Sequence, residues 1–345
     1  QRIHRAAALR RKSALPAAQE ALRETPADQE ALRETRWSAT SVLRFSRSPF
    51  AAWLDAALTA SSGTDRERLE ARRDPPDGFS LLLARKGDAW ERQVSKELFR
   101  GKDVVDLSGG TLRASGTQET LEALHTNTDI IYQAPLSTDR FVGAPDFLVR
   151  EGSQWSIYDA KLSRSATPSH VAQLCCYAEL LEELDVDVSP FATLVLGGGS
   201  PMENTRRIHL PTYAAHWRRL RGRFLSFADR FDDCAEPWVV QNAPLPRGDA
   251  PKDAHGRWAS LASQLLVERD DLFTACAGLT ARQARALKRE GVATGQQLAD
   301  LKPSRRIPGV RGDALRRLRA QALLQRSSGD GVAWWPLSPK GLRAD

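Results

Sequence analysis

At 345 residues the chain has room for one large domain plus a smaller one, and a sizeable core is attainable in surface-to-volume terms. Hydrophobic residues at 41% and charged residues at 27% describe an ordinary soluble polypeptide, with no apolar run near the roughly 20 residues a membrane span needs. The net charge of +7 is compatible with a polyanionic partner. Cys175 and Cys176 are adjacent on a predicted helix, Cys234 and Cys276 are isolated, and no C-x-x-C pair exists. Zinc and iron–sulfur sites therefore have no support in the spacing, and the expected setting is a reducing cytoplasm without a membrane partner.

Residues 1–36 are rich in Ala, Arg and Glu and carry QEALRET twice, at 19–25 and 29–35, split by Pro26. They read as an N-terminal helical arm or tail. The basic start lacks a secretory apolar core. Ser38 or Thr40 is placed to cap a helix burying Val42, Leu43 and Phe45, and Pro49 opens a second one with Phe50, Trp53 and Leu54. A polar loop is expected over 61–78. A helix over Ser80–Arg100 follows, with Leu82, Trp90, Val94 and Leu98 as its buried stripe and Glu91 among them.

Strands are predicted at Asp103–Leu107 and Asp129–Gln133, then a hairpin over Phe141–Lys161 and a helix from Pro168 to Leu184. A buried strand at Phe191–Leu196 runs into Gly197-Gly198-Gly199. That triplet lacks a downstream Gly-Lys-Ser/Thr and reads as a tight turn, not a phosphate loop. An edge strand, Thr205–Leu210, and a helix, Tyr213–Phe231, complete a domain over 37–233. The fold class expected is α/β, a mixed sheet flanked by helices. Residues 234–271 read as a Pro/Gly/Asp-rich linker and 272–327 as a small all-α unit turning at Gly291. The last segment, 328–345, with Trp334 and Trp335, reads as a strap.

The hairpin carries the chemistry. Residues two apart on a strand share a face, so Asp159 and Lys161 project together, with Trp155 and Ile157 on the same side. Asp146 lies across a short turn, where strand spacing brings its carboxylate near Asp159. Two carboxylates and a backbone carbonyl such as that of Ala160 suit Mg²⁺ or Mn²⁺, and a lysine beside them can orient or deprotonate a water. Gln173 and Tyr177, four apart, share a face of the next helix with His170. The bland alternative is a pair of surface charges at strand ends. The otherwise apolar strand around Asp159 weighs against it.

Asp146, Asp159-Ala160-Lys161 and Gln173-x-x-x-Tyr177 resemble the RecB-like branch of the PD-(D/E)XK nucleases, in bacterial members of which this domain precedes a helix-hairpin-helix segment. The likeness covers roughly residues 37–325. It implies a restriction-endonuclease-like sheet and a Mg²⁺- or Mn²⁺-dependent deoxyribonuclease, exonuclease favoured over endonuclease, acting on single-stranded DNA or duplex ends in repair, recombination or defence. It also implies Asp146, Asp159, Glu91 and the Ala160 carbonyl as metal ligands, Lys161 as the water-positioning group, and Gln173, Tyr177 and His170 toward the substrate. A helicase or further nuclease subunit is an expected partner. Relatives often continue into an RNase H-like domain, and a third reading is that the chain is one half of a longer two-nuclease protein.

Two departures stand out. The family's Gly-x-x-His-Glu reads Gly87-Asp88-Ala89-Trp90-Glu91 here. Its four cluster-binding cysteines fall on Ser48, Asp253, Gly256 and Ala262, so no iron–sulfur cluster is expected, and Trp238 and Trp258 are expected to pin the linker by packing. In 278–327, twelve Lys/Arg side chains face only Glu290, Asp300 and Asp313, which suits a polyanion. There the likeness implies that the hairpin Ile307–Gly312, with Gly309, Arg311 and Gly312, presents backbone N–H groups to phosphate. The alternative for this unit is an arginine-rich helix pair that packs on protein. For the whole chain it is a weakened nucleic-acid-binding or structural subunit.

Overall fold

A computed structural model describes residues 37–251 and 253–327. The expected N-terminal arm and C-terminal strap lie outside the described residues. The main body is an α/β unit around a mixed six-stranded sheet. In spatial order its strands are β2 (Val104–Asp106), β3 (Ile130–Tyr132), β6 (Phe147–Glu151), β7 (Gln154–Lys161), β8 (Phe191–Leu196) and β9 (Thr205–His209). β6 runs antiparallel to both β3 and β7, while β8 is parallel to β7. The ends of β3, β7 and β8 and the start of β6 therefore meet at one edge of the sheet.

Alternation along the strands splits the core. Phe147, Ala160 and Val195 pack on one face against Trp90 and Val94 of α4 (Gly78–Leu98). Leu148, Ile157 and Leu194 pack on the other, with α1 (Ala39–Arg47), α2 (Pro49–Ala60), α6 (Pro168–Glu183) and α7 (Pro211–Asp232). Ser38 caps α1 by accepting from the Ser41 N–H. Trp37, Phe45, Trp53, Phe224, Phe227 and Phe231 form an edge-to-face aromatic cluster that fastens α1 and α2 to α7.

Several boundaries differ from the sequence reading. The expected loop contains α3 (Gly63–Glu70), a charged helix with one buried apolar residue, Leu69, and hence no periodicity to read. Of the stripe predicted on α4, Trp90 and Val94 are buried, but Leu82 is 48% exposed; the first three turns pack on little among the described residues. Phe141–Gly143 (β5) does not belong to the hairpin. It pairs with β1 (Trp37–Ser38) and β4 (Leu136–Ser137) in a separate three-stranded sheet. Pro145, which lacks an N–H, interrupts the run before β6. α5 (Ala114–His125) was not anticipated, because Gly116, Thr117 and Thr120 are weak helix formers; a Cβ at Gly116 would strike the Thr111 carbonyl.

The stretch read as a linker packs onto the body and holds its own helix, α8 (Ala259–Glu268). Trp258 is fully buried and donates from Nε1 to Asp55 at 2.7 Å, while Trp238 packs at the margin of the same core. Arg44 bonds Asp55 at 2.9 Å and the His255 carbonyl at 3.3 Å, and Ser48 meets His255 Nδ1 at 2.8 Å. Beyond it, α9 (Leu272–Ala275), α10 (Ala281–Arg289), α11 (Gly295–Ala299) and α12 (Gly312–Ser327) enclose a second core of Leu272, Leu287, Leu298, Ile307 and Leu318. Thr280 and Thr294 each form a capping box with a Gln three residues on. Among the described residues no helix is long and apolar enough to cross a membrane.

His255 is a pH-dependent part of this attachment. Burial, assisted by the Arg44 charge, holds its imidazole below the ordinary value of 6.5. The unfolded chain thus takes up a proton before the folded one does, and stability falls as pH drops below about 6.5. Thermal melts at pH 7.5 and 5.5 should show a loss in wild type that His255→Gln largely lacks.

Candidate functional site

β7 outruns its neighbour. Its ladder with β6 ends at the pair Phe147–Tyr158, leaving Asp159, Ala160 and Lys161 beyond it. The Ala160 N–H, which has no strand to bond there, donates instead to Asp146 Oδ2 at 2.8 Å. In a strand the N–H and C=O of one residue leave on the same side, so the Ala160 carbonyl is directed to that edge as well. Asp146 itself sits just before β6, where its backbone carbonyl accepts from Gln133 at 2.9 Å.

Both carboxylates are buried: Asp146 is 8% exposed and Asp159 0%. Lys161 Nζ lies 2.7 Å from Asp159 Oδ2 as an ion pair, and neither Asp159 oxygen has a well-aligned hydrogen-bond donor among the described residues. Burial first, then the charges of Asp159 and Glu91, holds the Asp146 carboxyl well above the usual carboxylate range, against the pull of Lys161. Asp159 is raised by burial and by Glu91, again opposed by Lys161. For Lys161, burial disfavours the cation, but Asp159, Asp146 and Glu91 outweigh it and the ammonium is held above its ordinary value. A buried pair of acids facing a single ammonium is short of positive charge.

α6 covers this edge. Thr167 caps it, and Pro168 occupies its first turn. Gln173 Nε2 donates to the Tyr177 hydroxyl at 2.7 Å. Burial, then the charges of Asp159 and Asp146, pushes the Tyr177 phenol far above its ordinary value, so it stays a neutral donor. Gly143 makes room for that ring: a Cβ there would come within 2.7 Å of Tyr177 Cε1 and 3.3 Å of Leu180 Cδ1. His170 stands at the start of α6, its pKa lowered by burial and by the Lys161 charge. Its ring Nδ1 accepts from the Thr167 N–H at 3.3 Å.

Glu91 reaches the edge from α4. Its Oε2 accepts from Gln133 Nε2 at 2.8 Å and from the Tyr132 hydroxyl at 3.2 Å. These two residues were not picked out from the sequence. Gln133 adopts φ +53°, a left-handed conformation that costs a non-glycine residue about 1–3 kcal/mol. Its backbone holds Asp146 and its side chain holds Glu91, so one strained residue ties two acids to the end of β3. A polar Tyr-Gln step closing an apolar strand before Ala134-Pro135 was the available signal.

Asp146, Asp159, Ala160, Lys161, Glu91, His170, Gln173 and Tyr177 thus gather at one sheet edge. Trp90 does not take the place of a ligand; its indole is buried on the α4 side and donates to the Val195 carbonyl at 3.2 Å. Among the described residues no three His, Cys, Asp or Glu side chains enclose a metal position, so the acids form a close pair with Glu91 alongside. Gly309, Arg311 and Gly312 lie apart, in the C-terminal all-α unit. Gly309 turns at φ +82°, and Gly312 opens α12 beside Arg306. Arg311 is engaged by Asp313 at 3.0 and 3.1 Å.

No family model matches the chain, and no curated protein matches it.

Two outcomes follow from the strained electrostatics and tight packing. In metal-free protein with chelator, Asp146→Asn should raise the unfolding midpoint at pH 8, because it removes a charge whose ionisation folding opposes. The folded wild type retains a proton that the unfolded chain has lost, so its stability falls as pH rises through the raised value, and the gain from Asn shrinks toward pH 4. Gly143→Ala should cost about 1–3 kcal/mol in urea unfolding, the usual penalty for overpacking.

Proposed function

We propose that the chain is a metal-dependent nuclease that hydrolyses phosphodiester bonds, with the paired acids of β7 and the β6 start at its centre. The observation that carries this reading is Asp159: fully buried, a lysine ammonium 2.7 Å from Oδ2, no well-aligned hydrogen-bond donor to either oxygen among the described residues, and a second buried carboxylate beside it. A protein that holds two such acids together against their mutual repulsion does so for a ligand that is positively charged.

The donor set fits a hard divalent cation: Asp146 and Asp159 would hold Mg²⁺ or Mn²⁺, with the Ala160 carbonyl and Glu91 on its open side. Bound there, the ion would supply the charge that acidifies water and neutralises the phosphate. Lys161 is a cation and acts as a donor, holding the attacking water and countering charge on the phosphate. Water adds to phosphorus, the P–O bond to the leaving sugar oxygen breaks, and that oxygen takes up a proton. Tyr177, a neutral phenol oriented by Gln173, and His170 stand where the α6 side of a bound strand passes.

The mixed sheet with helices on both faces is compatible with the restriction-endonuclease-like fold that the motif implies, and DNA is the substrate that the resemblance favours. Gly309, Arg311 and Gly312 open a helix in a unit crowded with arginine, which suits a helix-hairpin-helix contact to phosphate. A chain of this kind would serve repair, recombination or defence, alone or with a helicase or second nuclease subunit. The segment 253–262 is fastened by Trp258, His255 and Arg44 at the positions where relatives are expected to carry a cluster.

A second reading is a nucleic-acid-binding subunit with weakened catalysis, favoured by Trp90, which fills with a core indole the position of an expected histidine. Single-turnover cleavage of labelled single-stranded and duplex DNA with Mn²⁺ separates the two. Lys161→Ala should lower the rate about 10²–10³-fold, the usual loss for one charge-stabilising donor. Equal rates in wild type and variant, or tight binding without cleavage in both, would remove the enzyme reading.

A further inference from the structure

α6 has a second working face. His170, Gln173 and Tyr177 look toward the acids, while Val171 and Cys175, a turn apart and about 150° round the axis from that face, line a pocket on the far flank of the helix. The pocket has a volume of about 260 Å³. Its opposite wall is Ile208 of β9 with Tyr213, His216 and Trp217 from the first turns of α7. Both walls are held in place. Trp217 donates from Nε1 to Glu179 at 2.8 Å, and His209 bonds Thr212 at 2.9 Å at the start of α7. Tyr213 stands at the mouth, 41% exposed.

The lining contains no acid. Burial pushes the Cys175 thiol up to about 11, so it remains neutral and serves as apolar wall. Two arginines neighbour this lining by their register. Arg206 shares the face of β9 with Ile208, since alternate residues of a strand point the same way, and Arg219 follows His216 by three on α7. Neither arginine pairs with an acid among the described residues. Arg218 is unpaired in the same way.

We propose that this pocket receives one unpaired nucleobase of the strand whose backbone crosses the acid pair. An aromatic-walled slot with arginines neighbouring it matches a flat apolar ring joined to phosphate, the combination by which proteins hold single strands. The slot lies within one helix width, about 10–12 Å, of the α6 face that looks on the acids, so it takes a neighbour of the scissile nucleotide. A base inside a duplex stack cannot enter it. The substrate class is therefore a single strand or a frayed end. This inference rests on the nucleic-acid reading above.

The test is fluorescence anisotropy with a short fluorescein-labelled single-stranded oligonucleotide in chelator, so that nothing is cut. Tyr213→Ala should weaken binding about 5- to 150-fold, the usual loss of one base–aromatic stack, with an unchanged melting curve because the ring is exposed. His216→Ala should weaken it in the same direction. Arg219→Ala should flatten the salt dependence. A set of oligonucleotides, each with one abasic site, should reveal a single position at which wild type loses affinity and Tyr213→Ala does not. Tight binding by wild type that Tyr213→Ala and His216→Ala leave unchanged overturns the pocket and leaves the nuclease reading standing. Failure of wild type to bind any oligonucleotide overturns both.

Discussion

Two carboxylates held out of water beside one another set the terms for this structure. Asp146 and Asp159 repel, and burial compounds the cost. What offsets it is local: the ammonium of Lys161 on one acid and the Ala160 N–H on the other. The Ala160 N–H would not be available if β6 extended its ladder along the whole of β7. The early end of that ladder frees the Ala160 amide, exposes the edge and lets α6 close over it. Charge, strand length and helix placement are one arrangement, and Asp159, with no well-aligned donor to either oxygen among the described residues, sits at its centre.

Around this edge the protein divides its labour by element. β7 supplies an acid and a lysine, α4 supplies Glu91, and β3 supplies the strained Gln133 that fixes both Glu91 and Asp146. α6 supplies the polar face opposite. Strands and helices carry most of these groups, and Gln133 and Asp146 stand directly at strand ends, which holds the constellation in place. The same helix turns a second, apolar face to α7. A strand held by its phosphates at one face and by a base at the other would be fixed in both position and register.

Stability is organised separately from the site. The aromatic cluster of Trp37, Trp53, Phe224 and Phe231 and the Trp258–Asp55–Arg44 attachment lie on β1, α1, α2, α7 and the segment before α8, not on the acids. Removing one of the two acid charges is therefore expected to relieve the fold rather than weaken it.

Much of the molecule was readable from the residues alone. Period-two alternation located β7, β8 and β9, capping chemistry located α1, α2 and α6, and Asp-x-Lys on an apolar strand pointed to the acid edge. Those signals are local, and local physics sets them. Residues whose meaning depends on a distant partner were not legible. Gln133 matters because it bridges to Glu91, Tyr132 because its hydroxyl reaches the same carboxylate, Gly143 because Tyr177 lies against it, and Trp258 because Asp55 is waiting for its N–H. α3 and α5 were hidden for a related reason: weak periodicity in one and weak propensity in the other are overruled by packing. The ionisable groups followed from sequence pattern, whereas their burial, their shifted protonation and the strand length that brings them together arose only when the sheet closed, because electrostatics in a protein is set by what surrounds a charge and not by what precedes it in the chain.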